Sequence, residues 1–224
     1  MDSLGCTDGS QVAVALICEN EVTWIQAVYG SSDSRRTSVG SFNPVDVNII
    51  IIAGFGGQGV LSMGKILAYS GLMEDKEVTW MPAYGPEQRG GTANVTVILS
   101  DEKISSPILN AFDIAVVLNQ QSLDKFESKV KPGGILIYDN YGIHRAPTRK
   151  DIKVYNVAAM DATLEMKNSK TYNMIVLGAL LKVCPMVTLE SVIKGLKKSL
   201  PERHHKLIPL NEEAIRKGMS LINE

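Results

Sequence analysis

Val47-Asn-Ile-Ile-Ile-Ile-Ala-Gly54-Phe-Gly-Gly-Gln-Gly59-Val60 is the stretch that decides the fold. Its first half is a continuous apolar, β-branched run, the composition of a strand covered on both faces. Its second half, Gly54 to Gly59, fits Gly-x-Gly-x-x-Gly. Glycines there permit a tight turn and bring backbone N–H groups close to an anion at a helix N-terminus. The spacing that follows predicts a helix from Gln58 to Ser70, with Gly71 at its C-cap.

Working outward from that unit, Val78–Trp80 reads as a short strand and 81–91 as a Pro/Gly loop. Thr92–Leu99 alternates, with Ala93, Val95, Val97 and Leu99 on one face. Asp113–Leu118 is a further buried strand. Ser122–Val130 reads as a helix stopped by Lys131-Pro-Gly-Gly134. Ile135–Tyr138 and Ile152–Val157 read as strands, and Thr171–Val183 as a helix ending at Pro185. Thr188 is placed to cap a helix running to Ser199, and Asn211 to cap the last one, with Glu212 and Glu213 near its N-terminus. Strands alternating with helices predict an α/β fold, a three-layer sandwich with a largely parallel sheet and a Rossmann-like glycine loop after the first core strand.

Residues 1–45 differ and read as an N-terminal extension, expected to be poorly ordered, before a domain over 46–224. The extension holds two short apolar runs, Val12–Cys18 and Val22–Val28, then the linker chemistry of Gly30–Ser41. It also echoes the domain: Glu21-Val-Thr-Trp24 and Ala27-Val-Tyr-Gly30 resemble Glu77-Val-Thr-Trp80 and Ala83-Tyr-Gly85. One partial copy is not a repeat architecture.

With 224 residues and a formal net charge of −1, the chain has no basic arm or acidic tail. Nothing in that balance points to nucleic acid or an acidic membrane surface. No run approaches the roughly 18 apolar residues of a membrane span. The apolar run at Val12–Cys18 follows Asp2 and Asp8, not the basic segment of a leader, so a cytoplasmic protein is expected. Cys6, Cys18 and Cys184 stand far apart with no Cys-x-x-Cys pair; they suit isolated thiols in apolar surroundings, not a disulfide framework or a chain-borne iron–sulfur cluster. His144, His204 and His205 suggest no metal site, because adjacent histidines cannot share one helix face.

The glycine loop has three readings. Dinucleotide binding requires an acidic residue at the end of the next strand, about 20 residues on. That strand ends in Trp80-Met81-Pro82, and Glu77 lies at its start. The other readings are close helix–strand packing, and a seat for another phosphate, a carboxylate or a partner's loop. The second loop, Met81-Pro-Ala-Tyr84-Gly-Pro-Glu87-Gln-Arg89-Gly90-Gly91-Thr92, joins an aromatic, a carboxylate and a guanidinium. Arg89 beside paired glycines offers a planar fork plus bare N–H groups to an anion, with Glu87 placed to orient it or pair with it. Loops leaving strand C-termini in such folds meet at the ligand crevice.

Gly54–Val60 together with Val78–Thr92 resembles the gamma subunits of 2-oxoacid:ferredoxin oxidoreductases, which correspond to one domain of the single-chain pyruvate enzymes. The resemblance continues through Ile104-Ser-Ser-Pro107, Leu118-Asn119 with Ser122–Phe126, Lys131–Gly134 and Asn173–Ala179, spanning 47–183. Trp80, Pro82, Tyr84 and Glu87 look closer to the 2-oxoglutarate and branched-chain 2-oxoacid types. The resemblance implies a non-autonomous enzyme subunit taking part in CoA-dependent oxidative decarboxylation of a 2-oxoacid to acyl-CoA and CO₂, with reduction of ferredoxin. It implies alpha and beta partner subunits carrying thiamine diphosphate, Mg2+ and [4Fe-4S] clusters, a ferredoxin-like delta subunit, and no cofactor on this chain alone. No thiamine-type Gly-Asp…Asn-Asn motif is present. Residues implied on the coenzyme A side or at an interface are Gly56, Gly57, Gln58, Gly59, Tyr84, Glu87, Arg89, Gly90, Gly91 and Asn119. Gln58, at a helix N-terminus, is placed to donate a hydrogen bond, and none of these residues is expected to be a covalent catalyst, an essential acid–base or a metal ligand. The competing readings are a stand-alone NAD(P)-binding oxidoreductase and an assembly scaffold without an active-site role.

Overall fold

The computed structural model describes residues 11–18, 21–28, 47–84, 91–104, 106 and 109–222. The chain divides into two units, Met1–Pro44 and Val45–Glu224. In the first, β1 (Gln11–Cys18) and β2 (Glu21–Val28) form an antiparallel two-stranded ribbon, where the sequence predicts two short strands. Its register runs from Gln11 opposite Val28 to Cys18 opposite Glu21. The expectation about the order of the remaining N-terminal residues lies outside the described residues.

The second unit is built on β3 (Val47–Phe55), α1 (Val60–Leu72), β4 (Glu77–Tyr84), β5 (Thr92–Ser100), β6 (Phe112–Val117), α2 (Gln120–Phe126), β7 (Val130–Tyr138) and β8 (Lys153–Asn156). Then come α3 (Ala159–Glu165), α4 (Tyr172–Val183), α5 (Leu189–Ser199) and α6 (Ile208–Ser220). The six strands lie in the order β4-β5-β3-β6-β7-β8. β3, β6, β7 and β8 run parallel, while β5 lies antiparallel between β3 and β4. The short connection from β4 to β5 leaves only an antiparallel pairing, whereas α1 and α2 supply longer crossovers.

Ile50, Ile51 and Ile52 are each at most 1% exposed, as their unbroken apolar run predicts. Ile49, Ile51 and Ala53 point into a core shared with Leu123 and Phe126 of α2. On the opposite face, Val95 and Leu99 meet α1, which comes close because Gly64 and Gly71 have no side chain. A Cβ at Gly64 would stand 2.6 Å from a Val95 methyl, and one at Gly71 2.6 Å from a Leu99 methyl. Behind α1, α5 approaches through Gly195 against Ile66 and Ser70. α4 and α6 interlock reciprocally: Gly178 abuts the backbone of Ile215, and Gly218 abuts the backbone of Ile175.

Several local expectations change in the fold. Gly71 is a packing glycine inside α1, not its cap; the left-handed turn falls on Asp75, with φ 56°. β4 continues through Pro82 to Tyr84; it is an edge strand, the place where a sheet tolerates proline because part of its N–H row has no partner strand. The helix expected over 122–130 is α2 followed by a 3-10 turn at Glu127–Lys129, and Lys131-Pro-Gly-Gly134 lies within β7. There the register with β6 shifts, and Gly133, with φ 77°, donates its N–H to the Asp151 carbonyl at 2.7 Å. Asn211 lies inside α6, which has proline in its first turn. Thr188 does cap α5, accepting the Ser191 N–H at 3.2 Å. Among the described residues no helix is long and apolar enough to cross a membrane.

Candidate functional site

From β3 the chain crosses through α1 to one side of the sheet, and from β6 through α2 to the other. The carboxyl ends of β3 and β6 therefore flank the point where the winding reverses, the usual place for a crevice in an open α/β sheet. Ala53 and Val117 pair there, and the Leu118 N–H reaches the Ala53 carbonyl at 2.9 Å. The Gly54–Gly59 loop leaves β3 at this point.

Three ties hold the loop. Gln58 Oε1 accepts the Phe55 N–H at 2.6 Å, and its Nε2 donates to the Leu118 carbonyl at 3.2 Å. Gly56 donates its N–H to the Gly91 carbonyl at 2.9 Å. Gly59 is the N-cap of α1 with φ 78°, and a Cβ there would stand 2.5 Å from Asn173 Nδ2. Gly57, exposed and with φ 102°, makes no hydrogen bond among the described residues. The positive φ angles explain why glycine stands at 57 and 59.

These contacts revise the roles expected of single residues. Gln58 staples β3 to β6 and is not a free donor at the helix N-terminus. Asn119 is 1% exposed and caps α2, its Oδ1 accepting the Ser122 N–H at 2.7 Å; the buried Nδ2 has no hydrogen-bond partner among the described residues. It therefore does not face solvent. Gly91 joins the first loop through its carbonyl. Tyr84 ends β4, and its side chain lies outside the described residues, as do Glu87, Arg89 and Gly90. The two loops nevertheless leave and enter neighbouring strand ends, since Phe55 pairs with Thr92 and Tyr84 with Ala93.

Further along the same edge, Asp139 follows β7 and is 1% exposed. It accepts the N–H groups of Tyr141 at 3.0 Å and Met160 at 3.1 Å, which fixes the start of α3. Burial pushes its carboxyl above the usual range despite those bonds. The buried Tyr172 hydroxyl lies beside it without meeting hydrogen-bond geometry; burial and then the Asp139 charge raise the phenol. At the opposite end of the sheet, Glu127 accepts from Arg145 at 2.8 Å, from the Arg149 N–H at 3.1 Å and from Thr148. Burial raises its pKa, but these donors win and hold the carboxyl below its ordinary value. Asp139, Tyr172 and Glu127 carry no sequence signal of their own, because each acts through contacts distant in the chain, and Asn173 opens a segment of the resemblance without a role being legible there.

Among the described residues, no group of three His, Cys, Asp or Glu side chains can hold a metal ion. Cys184 is a half-buried free thiol, less enclosed than an apolar-core cysteine, and burial raises its pKa.

The fold defines a doubly wound α/β protein with a glycine loop at its switch point, tied to the start of the neighbouring strand β5. Residues 49–221 match the pyruvate ferredoxin/flavodoxin oxidoreductase family, and the chain belongs to that family. It is 35% identical over 157 residues to the 2-oxoglutarate synthase subunit KorC of Methanocaldococcus jannaschii, covering 68% of this chain and 83% of that protein. It is 41% identical over 130 residues to the ketoisovalerate oxidoreductase subunit VorA of Methanothermobacter marburgensis, a match covering 58% of this chain but spanning only 27% of VorA's length. Among solved structures, it is similar to the 2-oxoglutarate:ferredoxin oxidoreductase of Magnetococcus marinus with 2-oxoglutarate, coenzyme A and succinyl-CoA bound. That likeness has a TM-score of 0.71 at 27% identity over 78% of this chain and 31% of that chain. The keto/oxoacid ferredoxin oxidoreductase gamma subunit of Geobacter sulfurreducens PCA gives 0.66 at 26% identity over 78% and 95%.

Proposed function

We propose that this chain is the gamma-type subunit of a multi-subunit 2-oxoacid:ferredoxin oxidoreductase, taking part in CoA-dependent oxidative decarboxylation of a 2-oxoacid to acyl-CoA and CO₂. The observation that carries this reading is the family match over nearly the whole larger unit, coupled to a glycine loop at the sheet's switch point. Thiamine diphosphate with Mg2+ in partner subunits supplies the carbanion chemistry, and clusters in beta- and delta-type subunits pass electrons to ferredoxin. This chain's donors do not fit a cluster of its own: Cys6, Cys18 and Cys184 are one short of four thiolates and widely spaced. Its part is to shape the cavity wall. The tied glycine loop holds the Gly57 N–H, which makes no hydrogen bond among the described residues, and the loop that follows β4 carries Tyr84, Glu87, Arg89, Gly90 and Gly91 in sequence, with Arg89 as the anion contact on the coenzyme A side.

A branched-chain 2-oxoacid or 2-oxoglutarate is favoured over pyruvate. In Methanothermobacter marburgensis the identities are 41% to VorA and 33% to KorC, against 29% to the pyruvate synthase subunit PorC. A stand-alone NAD(P) enzyme is disfavoured because the strand after α1 ends without an acidic residue for the ribose. The deciding experiment is anaerobic affinity purification of the chain from its native extract, with the eluate assayed for CoA-dependent ferredoxin reduction by several 2-oxoacids. Co-purifying thiamine-binding subunits with activity are expected. Recovery of the chain alone, beside a control complex that stays intact and active, would return the glycine loop to consideration as an independent site.

A further inference from the structure

We propose that Asn173 is the positioning residue of the glycine loop, setting the geometry with which the loop meets an incoming substrate. Asn173 lies in the first turn of α4, 114 positions beyond Gly59 (173 − 59), yet its carboxamide stands where a Gly59 side chain would be. The distances from that Cβ position are 2.5 Å to Nδ2, 2.7 Å to Cγ and 2.7 Å to Cβ. Gly59 is thus glycine for two reasons, its φ of 78° and the presence of Asn173. The three hydrogen-bonded ties grip the loop's first half, through Phe55, Gly56 and Gln58. Asn173 is the contact from outside α1 at its last glycine, where the loop becomes helix and the Met63 N–H reaches the Gly59 carbonyl at 2.9 Å.

The carboxamide is half-buried and forms no hydrogen bond among the described residues. Among the described residues the amide neither caps nor cross-links; it packs against the Gly59 backbone at the start of α1. α4 is itself locked axially by the Gly178 and Gly218 interlock with α6, so Asn173 is delivered to the loop from a rigid base. Removing its side chain leaves the Gly59 end of the loop without a wall. The consequence for the reaction rests on the function proposed above: a loosened loop misplaces the Gly57 N–H, and small misplacements of binding groups are costly.

The test pairs two readouts of Asn173→Ala and the isosteric Asn173→Asp. Hydrogen exchange on the full chain reads the Gly56 and Met63 amides. The alanine variant is expected to speed their exchange on the order of tenfold while amides of β6 and β7 stay as they are, and the aspartate variant to restore slow exchange. In the assembled complex, Asn173→Ala is expected to raise KM for coenzyme A or for the 2-oxoacid on the order of tenfold with kcat little changed. Which of the two rises tells whether the loop meets the coenzyme's phosphates or the substrate carboxylate. Unchanged exchange overturns the positioning role. Faster exchange with both KM values unchanged overturns its link to substrate. If the wild-type complex shows no CoA-dependent reduction, the proposed function fails, and the exchange result alone decides the role of Asn173.

Discussion

Two ribbons in this protein carry nearly the same strand. β2 begins Glu21-Val-Thr-Trp24 and β4 begins Glu77-Val-Thr-Trp80, with Ala27 and Ala83 at the same later position. The likeness extends to pairing. Glu21 faces Cys18 and Trp24 faces Ala15 in β1, while Glu77 faces Ser100 and Trp80 faces Val97 in β5. In each ribbon the glutamate pairs with the last residue of the partner strand, and the tryptophan with the residue three before it. Only the chain order differs: β1 precedes β2, whereas β5 follows β4. What separates them is context. β1–β2 is a two-stranded sheet, a form that is marginal alone in water. β5 is bonded on its far side to β3, and Val78 and Trp80 are buried at 8% and 7% exposure against α1. The same strand sequence specifies the same register in both ribbons, and in β4 that register is backed by a third strand and a helix.

The sharpest way to break this comparison is to truncate the two tryptophans. Trp80→Ala is expected to destabilise the larger unit by about 3–5 kcal/mol in urea unfolding, since it empties the space over Gly64. Trp24→Ala is expected to leave that same transition within about 0.5 kcal/mol. Equal losses would show that the ribbons share one anchorage. At the other end of the sheet the connection from β7 to β8 is anchored by charge instead of a helix. Glu127→Gln is expected to cost about 1.5–3 kcal/mol near neutral pH by weakening the bonds from Arg145, Thr148 and Arg149. Because the folded carboxyl titrates below its ordinary value, its contribution is present above about pH 4.5 and is lost as pH falls through the folded value. The gap between wild type and variant should therefore narrow in acid; a gap independent of pH would mean the charge is not what anchors that connection. The smallest expected effect is at the turn into β4, where Glu74 Oε1 accepts both the Thr188 N–H at 2.7 Å and the Thr188 hydroxyl at 2.8 Å. Thr188→Ala removes the α5 cap and one of those bonds, for about 1 kcal/mol by thermal unfolding. No change would place the stability of that turn wholly in α1.

Much of the sheet was legible because its signals are local. The apolar run before Gly54 and the alternation over β5 each name a strand without reference to any other. Pro82 and Lys131-Pro-Gly-Gly134 misled because a proline's meaning depends on which strand lies beside it. β4 has an open edge, and the β6–β7 pairing absorbs the glycines by shifting register. The site was legible as a place more than as a set of roles. Asn119, three residues before Ser122, carries a cap signature in its own neighbourhood. Gln58 reads as a helix-start donor until Leu118, a strand away, claims it. Asn173 opens a segment that the family resemblance includes, but its role is not legible there, because its contact with Gly59 exists only after α4 is laid against α1.

The glycine pair in α4 and α6 works as a ruler. Two helices whose backbones touch at Gly178 and Gly218 cannot slide past each other without a side-chain-sized step, so the depth to which α4 reaches is read off α6. A bulky residue at either glycine would withdraw the far end of α4 from the loop it meets. The contact at Gly59 is thus linked, through α4, to a helix packed on α4's glycine-bearing turn.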